Sequence, residues 1–167
     1  MNAVTRIVLA GCGSIALVLA GCGPSEEAVR RIVHEEITSA SARSYHAPTP
    51  VIGPYSPAVK AGPLVFVSGQ IALVPATGAM LQTDIEAETR QVLENVRTVL
   101  GSAGCEPGDV VSATVYLKEM NNYAKVNAVY GAFFPAGAYP ARVAVEVARL
   151  PKDANVEIAV IAVKPGR

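Results

Sequence analysis

Two charged side chains stand in stretches that otherwise read as apolar β-strands. Between Pro140 and Pro151 the residues alternate strictly, with Val143, Val145 and Val147 on one face, read as the core face, and Arg142, Ala144, Glu146 and Ala148 on the other. A guanidinium at the mouth of such a strand is costly to desolvate unless an anion meets it. That anion is either a neighbouring carboxylate or an anionic ligand, and the local pattern leaves both open. The second residue is Glu157, in a strand predicted over Ala154 to Val163, where it shares a face with Ala159, Ile161 and Val163. A carboxylate in that setting either pairs with Arg142 or Arg149 or is kept for chemistry, in which case burial raises its pKa.

The remaining polar residues narrow the chemistry. Ser68 follows the buried strand Leu64-Val65-Phe66-Val67, has no nucleophile-elbow pattern around it, and lies in a region without histidine, since His34 and His46 both fall in an N-terminal spacer. A serine without an activating base is a hydrogen-bonding group, not a triad nucleophile. His34-Glu35-Glu36 lacks the second histidine that a helical zinc site needs, so no metal site is expected. The prolines and glycine of Ile52-Gly53-Pro54-Tyr55-Ser56-Pro57 force a turn that holds the Tyr55 ring and hydroxyl outward. Asn127 borders the apolar stripe of a helix and either stays on the surface or turns its amide into a site.

Periodicity predicts the elements that must position these groups. Ala58 to Ala61 and Leu64 to Val67 read as strands around a Gly62-Pro63 turn. Thr83 and Glu86 form a capping box opening a helix with Ile85, Val92, Leu93, Val96, Val99 and Leu100 on one side, ended by Gly104. Val110 to Leu117 has strand composition, and a second helix runs from Tyr123 to Phe134, capped by Asn121 or Asn122, with Val126, Val129, Tyr130 and Phe133 inward. This order, strand, strand, helix, strand, helix, strand, strand, predicts an α+β domain with two helices on one face of a single sheet. The other face also carries valines and alanines with no helix left to cover them, which points to an oligomer.

The 167 residues suit one domain with appendages, and 51% hydrophobic content supplies its core. The balance of 14 basic against 14 acidic residues excludes nucleic-acid or membrane binding driven mainly by phosphate charge. Residues 1–21 read as a signal peptide: Arg6 is their only charge, and the apolar run from Ile7 to Ala20 is too short to span a bilayer. Leu19-Ala20-Gly21-Cys22 resembles the lipobox of bacterial lipoproteins, which places lipidation on Cys22 and the protein in the bacterial cell envelope, lipid-anchored on a periplasmic or outer surface. Residues 22–49 are then a lipidated, flexible spacer with a short helix capped by Ser25 and a linker from Ser39 to Ser44, and residues 50–167 form the domain. With Cys12 removed and Cys22 acylated, Cys105 is the sole free thiol, a turn residue expected to be a bystander.

From Ile52 to Val163 the chain resembles the reactive-intermediate deaminase (RidA) family of 2-iminobutanoate/2-iminopropanoate deaminases. The matching segments are Ile52-Gly53-Pro54-Tyr55-Ser56, Val67-Ser68-Gly69-Gln70-Ile71, Thr89-Arg90-Gln91-Val92-Leu93-Glu94-Asn95, Val126-Asn127-Ala128-Val129-Tyr130, Pro140-Ala141-Arg142 and Val147-Ala148-Arg149-Leu150-Pro151-Lys152. The resemblance implies a chorismate-mutase-like homotrimer with sites between subunits. It implies catalysis by Arg142, holding the substrate carboxylate, and Glu157, activating water, with Tyr55, Ser68, Asn127 and the backbone N–H of Ala144 binding substrate. Ala144 stands where many members carry cysteine, so thiol-dependent regulation is not expected. The implied reaction hydrolyses a 2-imino acid to a 2-oxo acid and ammonia without metal or organic cofactor. The alternative is a non-enzymatic module that binds a small carboxylate in the same inter-subunit cleft; a chorismate-mutase-type enzyme rests on fold analogy alone.

Overall fold

The computed structural model describes residues 25–31, 43–45 and 51–164. Cys12, the lipidation candidate Cys22, and the spacer histidines His34 and His46 lie outside the described residues. The chain divides into two units, Met1–Ile37 and Thr38–Arg167. In the first, residues 26–31 are helical and the Ser25 hydroxyl accepts the Ala28 N–H at 3.2 Å, the cap read from sequence.

The second unit runs β1 (Arg43–Tyr45), β2 (Ala58–Ala61), β3 (Leu64–Gln70), α1 (Ile85–Ser102), β4 (Val110–Leu117), α2 (Tyr123–Phe133), β5 (Ala141–Glu146) and β6 (Val156–Val163). The strands form one mixed sheet in the order β1-β2-β3-β6-β4-β5, in which β4 and β5 pair parallel and the other neighbours antiparallel. Gly62, at φ +59°, turns the chain between β2 and β3. Arg43 and Ser44, read from sequence as linker, instead pair with Lys60 and Val59. A three-residue strand is too short to show an alternation.

The helix α1 opens one residue later than the Thr83–Glu86 capping box predicts. Asp84, with extended backbone, is the cap, and its carboxylate accepts the Ala87 N–H at 2.7 Å. Val92, Leu93, Val96, Val99 and Leu100 are buried along its inner side as expected. Two buried polar residues tie the helix to the chain around it. Glu88 accepts the Asn155 N–H at 2.7 Å and its side-chain amide at 2.8 Å, and Asn95 donates to the carbonyls of Ile71 and Leu73 at 2.9 and 2.8 Å. Both therefore fix segments flanking strands of the sheet. The helix α2 ends at Phe133, and Asn122 caps it without a side-chain hydrogen bond.

The core lies between the helices and one sheet face, formed by Val65 and Val67 of β3, Ala113, Val115 and Leu117 of β4, and Val156, Ile158, Val160 and Ala162 of β6. The opposite face is open. Its exposed residues correct two expectations: Phe66 is 41% exposed, so β3 alternates instead of being buried throughout, and Val143 is 56% exposed, so the valine face of β5 is not the core face. Register explains the second reversal. Arg142 pairs with the buried Ala113 and Ala144 with the buried Val115, which turns both toward the helices and leaves Val143 and Val145 outward. Val147 rests instead on a smaller cluster of Ile71, Leu73, Leu150 and Ala154.

The cap assignment is testable by denaturant unfolding. Asp84→Ala is expected to lower stability by about 1 kcal/mol, the usual cost of losing an N-cap side chain, whereas Thr83→Ala leaves it nearly unchanged.

Candidate active site

The first half of the site is built on α2 and β5. Tyr123, Asn127 and Tyr130 follow one another at helical spacings of four and three, so one face of α2 presents all three to the strand beneath. Arg142 rises from β5 into them. Its Nη1 donates to Asn127 Oδ1 at 2.7 Å and its Nη2 to the Tyr123 hydroxyl at 3.0 Å, and its guanidinium carbon lies 4.7 Å from the Tyr130 ring centre and 5.6 Å from that of Tyr123. Among the described residues no carboxylate pairs with it. The cation is thus held by an amide, a phenol and two ring faces, all of them neutral, and its charge is not cancelled among the described residues. Tyr130 is buried with its hydroxyl unpartnered among the described residues, and burial pushes its pKa up to about 12 against the opposing pull of Arg142. Ala144 lies one strand repeat along, packed on the core.

The second half is built on β6 and the end of β3. Glu157 pairs across the sheet with Tyr116, on the open face. The register of β3 on β6 shifts between Val67 and Gln70, a bulge containing Ser68 and Gly69. The Glu157 carboxylate lies over this bulge: a Cβ on Gly69 would fall within it, 2.7 Å from Cδ and closer still to Oε1. Glycine at 69 therefore makes room for the carboxylate. Ser68 donates its hydroxyl to the Ser56 carbonyl at 2.7 Å, fixing the turn that carries the exposed Tyr55. Glu157 also lines a cleft of about 330 Å³ with Tyr116, Val147, Arg149, Leu150 and Ala159.

The ion pair considered for Glu157 does not form. Arg149 Nε donates to Asp153 Oδ1 at 2.8 Å, and this pair raises the arginine's pKa and lowers the aspartate's. Arg142 lies on the helix side of the sheet and Glu157 on the open side. Half-buried and without an opposing charge, Glu157 has its pKa raised by desolvation. Cys105 is buried, and burial followed by the nearby Asp109 raises its thiol pKa, which disfavours the reactive thiolate.

One chain therefore brings together Arg142, Asn127 and Ala144 on one side, and Glu157, Ser68 and the Tyr55 turn on the other. Sequence reasoning did not single out Tyr123, Tyr130 and Gly69 as site residues. The signal for the tyrosines was present in their spacing from Asn127, whereas only the packing of Glu157 distinguishes Gly69 from any other strand-end glycine.

A sheet with two helices and a mixed strand order, carrying an uncompensated arginine and a desolvated glutamate, defines a recognisable class. The family model described as Endoribonuclease L-PSP matches residues 44–164, and the chain belongs to this family, which is also that of the RidA proteins. It is 50% identical over 115 residues to the 2-iminobutanoate/2-iminopropanoate deaminase of Salmonella typhimurium, covering 68% of this chain and 89% of that protein. A RutC family protein of Pyrococcus horikoshii is 54% identical over 119 residues, 71% of this chain and 93% of the relative. The YjgF gene product of E. coli has a similar structure, with TM-score 0.70 and 43% identity over 74% of this chain and 99% of that one. The E. coli protein TdcF, solved with bound serine, matches at TM-score 0.70 and 39% identity, again over 74% and 99%.

The absence of an ion pair reverses the sign expected of a Glu157 substitution. A carboxylate whose folded-state pKa exceeds its ordinary value of 4.5 destabilises the fold once ionised, from about that pH upward and fully above the folded-state pKa. Glu157→Gln is therefore expected to raise the melting temperature at pH 7, with the gain disappearing as the pH falls below 4.5, in thermal melts across that range. An ion pair would instead make the substitution destabilising at pH 7.

Proposed function

We propose that this protein hydrolyses 2-imino acids to 2-oxo acids and ammonia, in a site completed between the chains of a chorismate-mutase-like homotrimer. The observation that carries the reading is the presence in one domain of an arginine held only by neutral groups and a desolvated carboxylate without a counter-charge, among the described residues. The first suits a substrate carboxylate, which a guanidinium grips through parallel hydrogen bonds. The second suits a general base, since its raised pKa strengthens its hold on a proton at neutral pH. Relatives named 2-iminobutanoate/2-iminopropanoate deaminase, at about 50% identity over most of the domain, support the same chemistry.

In this mechanism Arg142 fixes the carboxylate, and Asn127 and the Ala144 backbone N–H complete its surroundings. Glu157 takes a proton from water as the oxygen bonds to the imine carbon, and the C=N electron pair moves to nitrogen, which is protonated. The tetrahedral carbinolamine then collapses: the hydroxyl proton passes by way of the Glu157 carboxylate to the amino nitrogen, the carbon–nitrogen bond breaks as the C=O forms, and ammonia leaves with that proton to give the 2-oxo acid. Ser68 holds the turn from which Tyr55 covers the substrate. No step calls on a metal or organic cofactor. Because Arg142 and Glu157 occupy opposite sheet faces in one chain, a shared site takes Arg142 from one subunit and Glu157 from its neighbour, on either side of the substrate and out of contact with each other, and the exposed Phe66, Val143 and Val145 support a contact face.

A second reading, a carboxylate-binding module without turnover, is favoured by the Arg142 half alone, and the relative solved with bound serine fits it equally well. An RNA-cleaving activity, which the family description suggests, has less support, because charges are balanced at 14 against 14 and the matched region holds one histidine, in its N-terminal spacer. The envelope location belongs to the same proposal: Cys22 carries the lipid after cleavage of residues 1–21, and Cys22→Ser is expected to abolish acyl labelling and membrane retention.

Kinetics with 2-iminobutanoate generated by an amino-acid oxidase separate the readings. Arg142→Lys keeps the charge but loses the fork, so affinity and turnover both fall, whereas Glu157→Gln leaves carboxylate binding near normal and slows turnover by about 100-fold or more. Hydrolysis that survives Glu157→Gln removes the base assignment, and binding without hydrolysis by the unmodified protein selects the module. Unfolding and refolding the two variants together tests the shared site, since in a cyclic trimer about a quarter of the interfaces regain both residues. Activity absent from such hybrids, or a monomer on sedimentation, rejects the inter-subunit arrangement.

A further inference from the structure

The hydroxyl of Tyr123 accepts a hydrogen bond from Arg142 Nη2 at 3.0 Å, and among the described residues its own proton has no acceptor. A phenol is both donor and acceptor, so a hydroxyl whose lone pair is engaged by a guanidinium still has its O–H to give. Tyr123 is 38% exposed, at the first position of α2, so the group is open to a ligand arriving at Arg142. Its direction is constrained from two sides: the ring lies beside the guanidinium at 5.6 Å, and the hydroxyl is tied to Nη2.

We propose that Tyr123 is a substrate-binding residue, forming with Arg142 a joint clamp in which the guanidinium N–H groups and the Tyr123 O–H donate to the two oxygens of one carboxylate. This rests on the assignment of Arg142 as the carboxylate site. The two N–H groups given to Asn127 and Tyr123 fix the guanidinium plane and leave its other N–H groups for a ligand, with the phenol proton beside them. A carboxylate has acceptor sites enough for such an arrangement. The hydroxyl's polarisation by the bound cation makes it a stronger donor than a free phenol. The ligand class follows: a small 2-oxo or 2-imino acid with a free carboxylate, in preference to its amide or ester.

The experiment measures binding of 2-oxobutanoate by calorimetry and hydrolysis of 2-iminobutanoate, for the unmodified full chain, Tyr123→Phe and Tyr123→Leu. Tyr139→Phe is the control, since its exposed ring carries a hydroxyl 3.5 Å from the Gly131 carbonyl and away from the guanidinium hydrogen bonds. Tyr123→Phe retains the ring and is expected to weaken 2-oxobutanoate binding about tenfold, the scale of one hydrogen bond to a charged group. The KM is expected to rise by a similar factor with kcat within about twofold, the melting temperature and sedimentation are expected to be unchanged, and 2-oxobutanamide is expected to bind no differently to the two proteins. Tight binding retained in Tyr123→Phe but lost in Tyr123→Leu would assign the effect to the ring and overturn the clamp. Equal loss in Tyr139→Phe would overturn it also, as would failure of the unmodified protein to bind 2-oxobutanoate. Binding that depends on Tyr123 in a protein without hydrolytic activity would uphold the clamp while rejecting the deaminase reading.

Discussion

The packing of two helices against one face of a single sheet is the constraint on which the rest of the molecule depends. Once α1 and α2 cover Val65, Ala113, Val115 and Ile158, the two-residue period of the strands decides the side on which every other residue emerges. Arg142, in register with Ala113, emerges under α2; Glu157, in register with Tyr116, emerges on the uncovered side. Both are strand residues with rigid backbone on either side. The separation of the two half-sites is therefore a property of the fold that side-chain rotation cannot undo.

The charged residues divide into two populations on this scaffold. Arg149 with Asp153, and Arg97 with Glu94, satisfy one another locally at the surface, where such pairs contribute little. Arg142 and Glu157 have no such partners among the described residues, and each is instead surrounded by groups that define its geometry without neutralising it. Glu88 and Asn95 show what a purely structural polar residue looks like here: fully buried, with their hydrogen bonds made to backbone groups or to neighbouring side-chain amides. That contrast separates the candidate site residues from the architectural ones on hydrogen-bond grounds alone.

Most of the sheet and both helices were legible because their periods of two and near 3.6 are long enough to read. The direction of β5 was not. Alternation defines two faces but not which is inward, and the usual preference for valine over alanine inside picked the wrong one, since the valines lie on a face without helices. Asn127 was undecided for a related reason: a residue at the border of an apolar stripe is placed by what stands opposite, and the arginine opposite came from a strand 15 residues later. The helix start was missed by one residue because Thr83 and Asp84 are both good caps and only backbone dihedrals choose between them. Cys22 and the spacer remain a matter of local motif, to which the domain's packing contributes nothing.

The hold of Asn127, Tyr123 and Tyr130 on Arg142 also has a thermodynamic consequence. An arginine side chain carries about 2 kcal/mol of rotamer entropy when free, and here much of that freedom is lost when the domain folds, before any ligand arrives. Were an anion to bind at Arg142, association would have little ordering left to oppose it, so even a molecule of a few heavy atoms, which buries scant apolar area, could be held there through charge and hydrogen bonds. The same arrangement links affinity to the first turn of α2. Fraying of that turn would release the guanidinium to its unbound rotamers, and any anion affinity that Arg142 has would decline on warming well before the sheet itself comes apart.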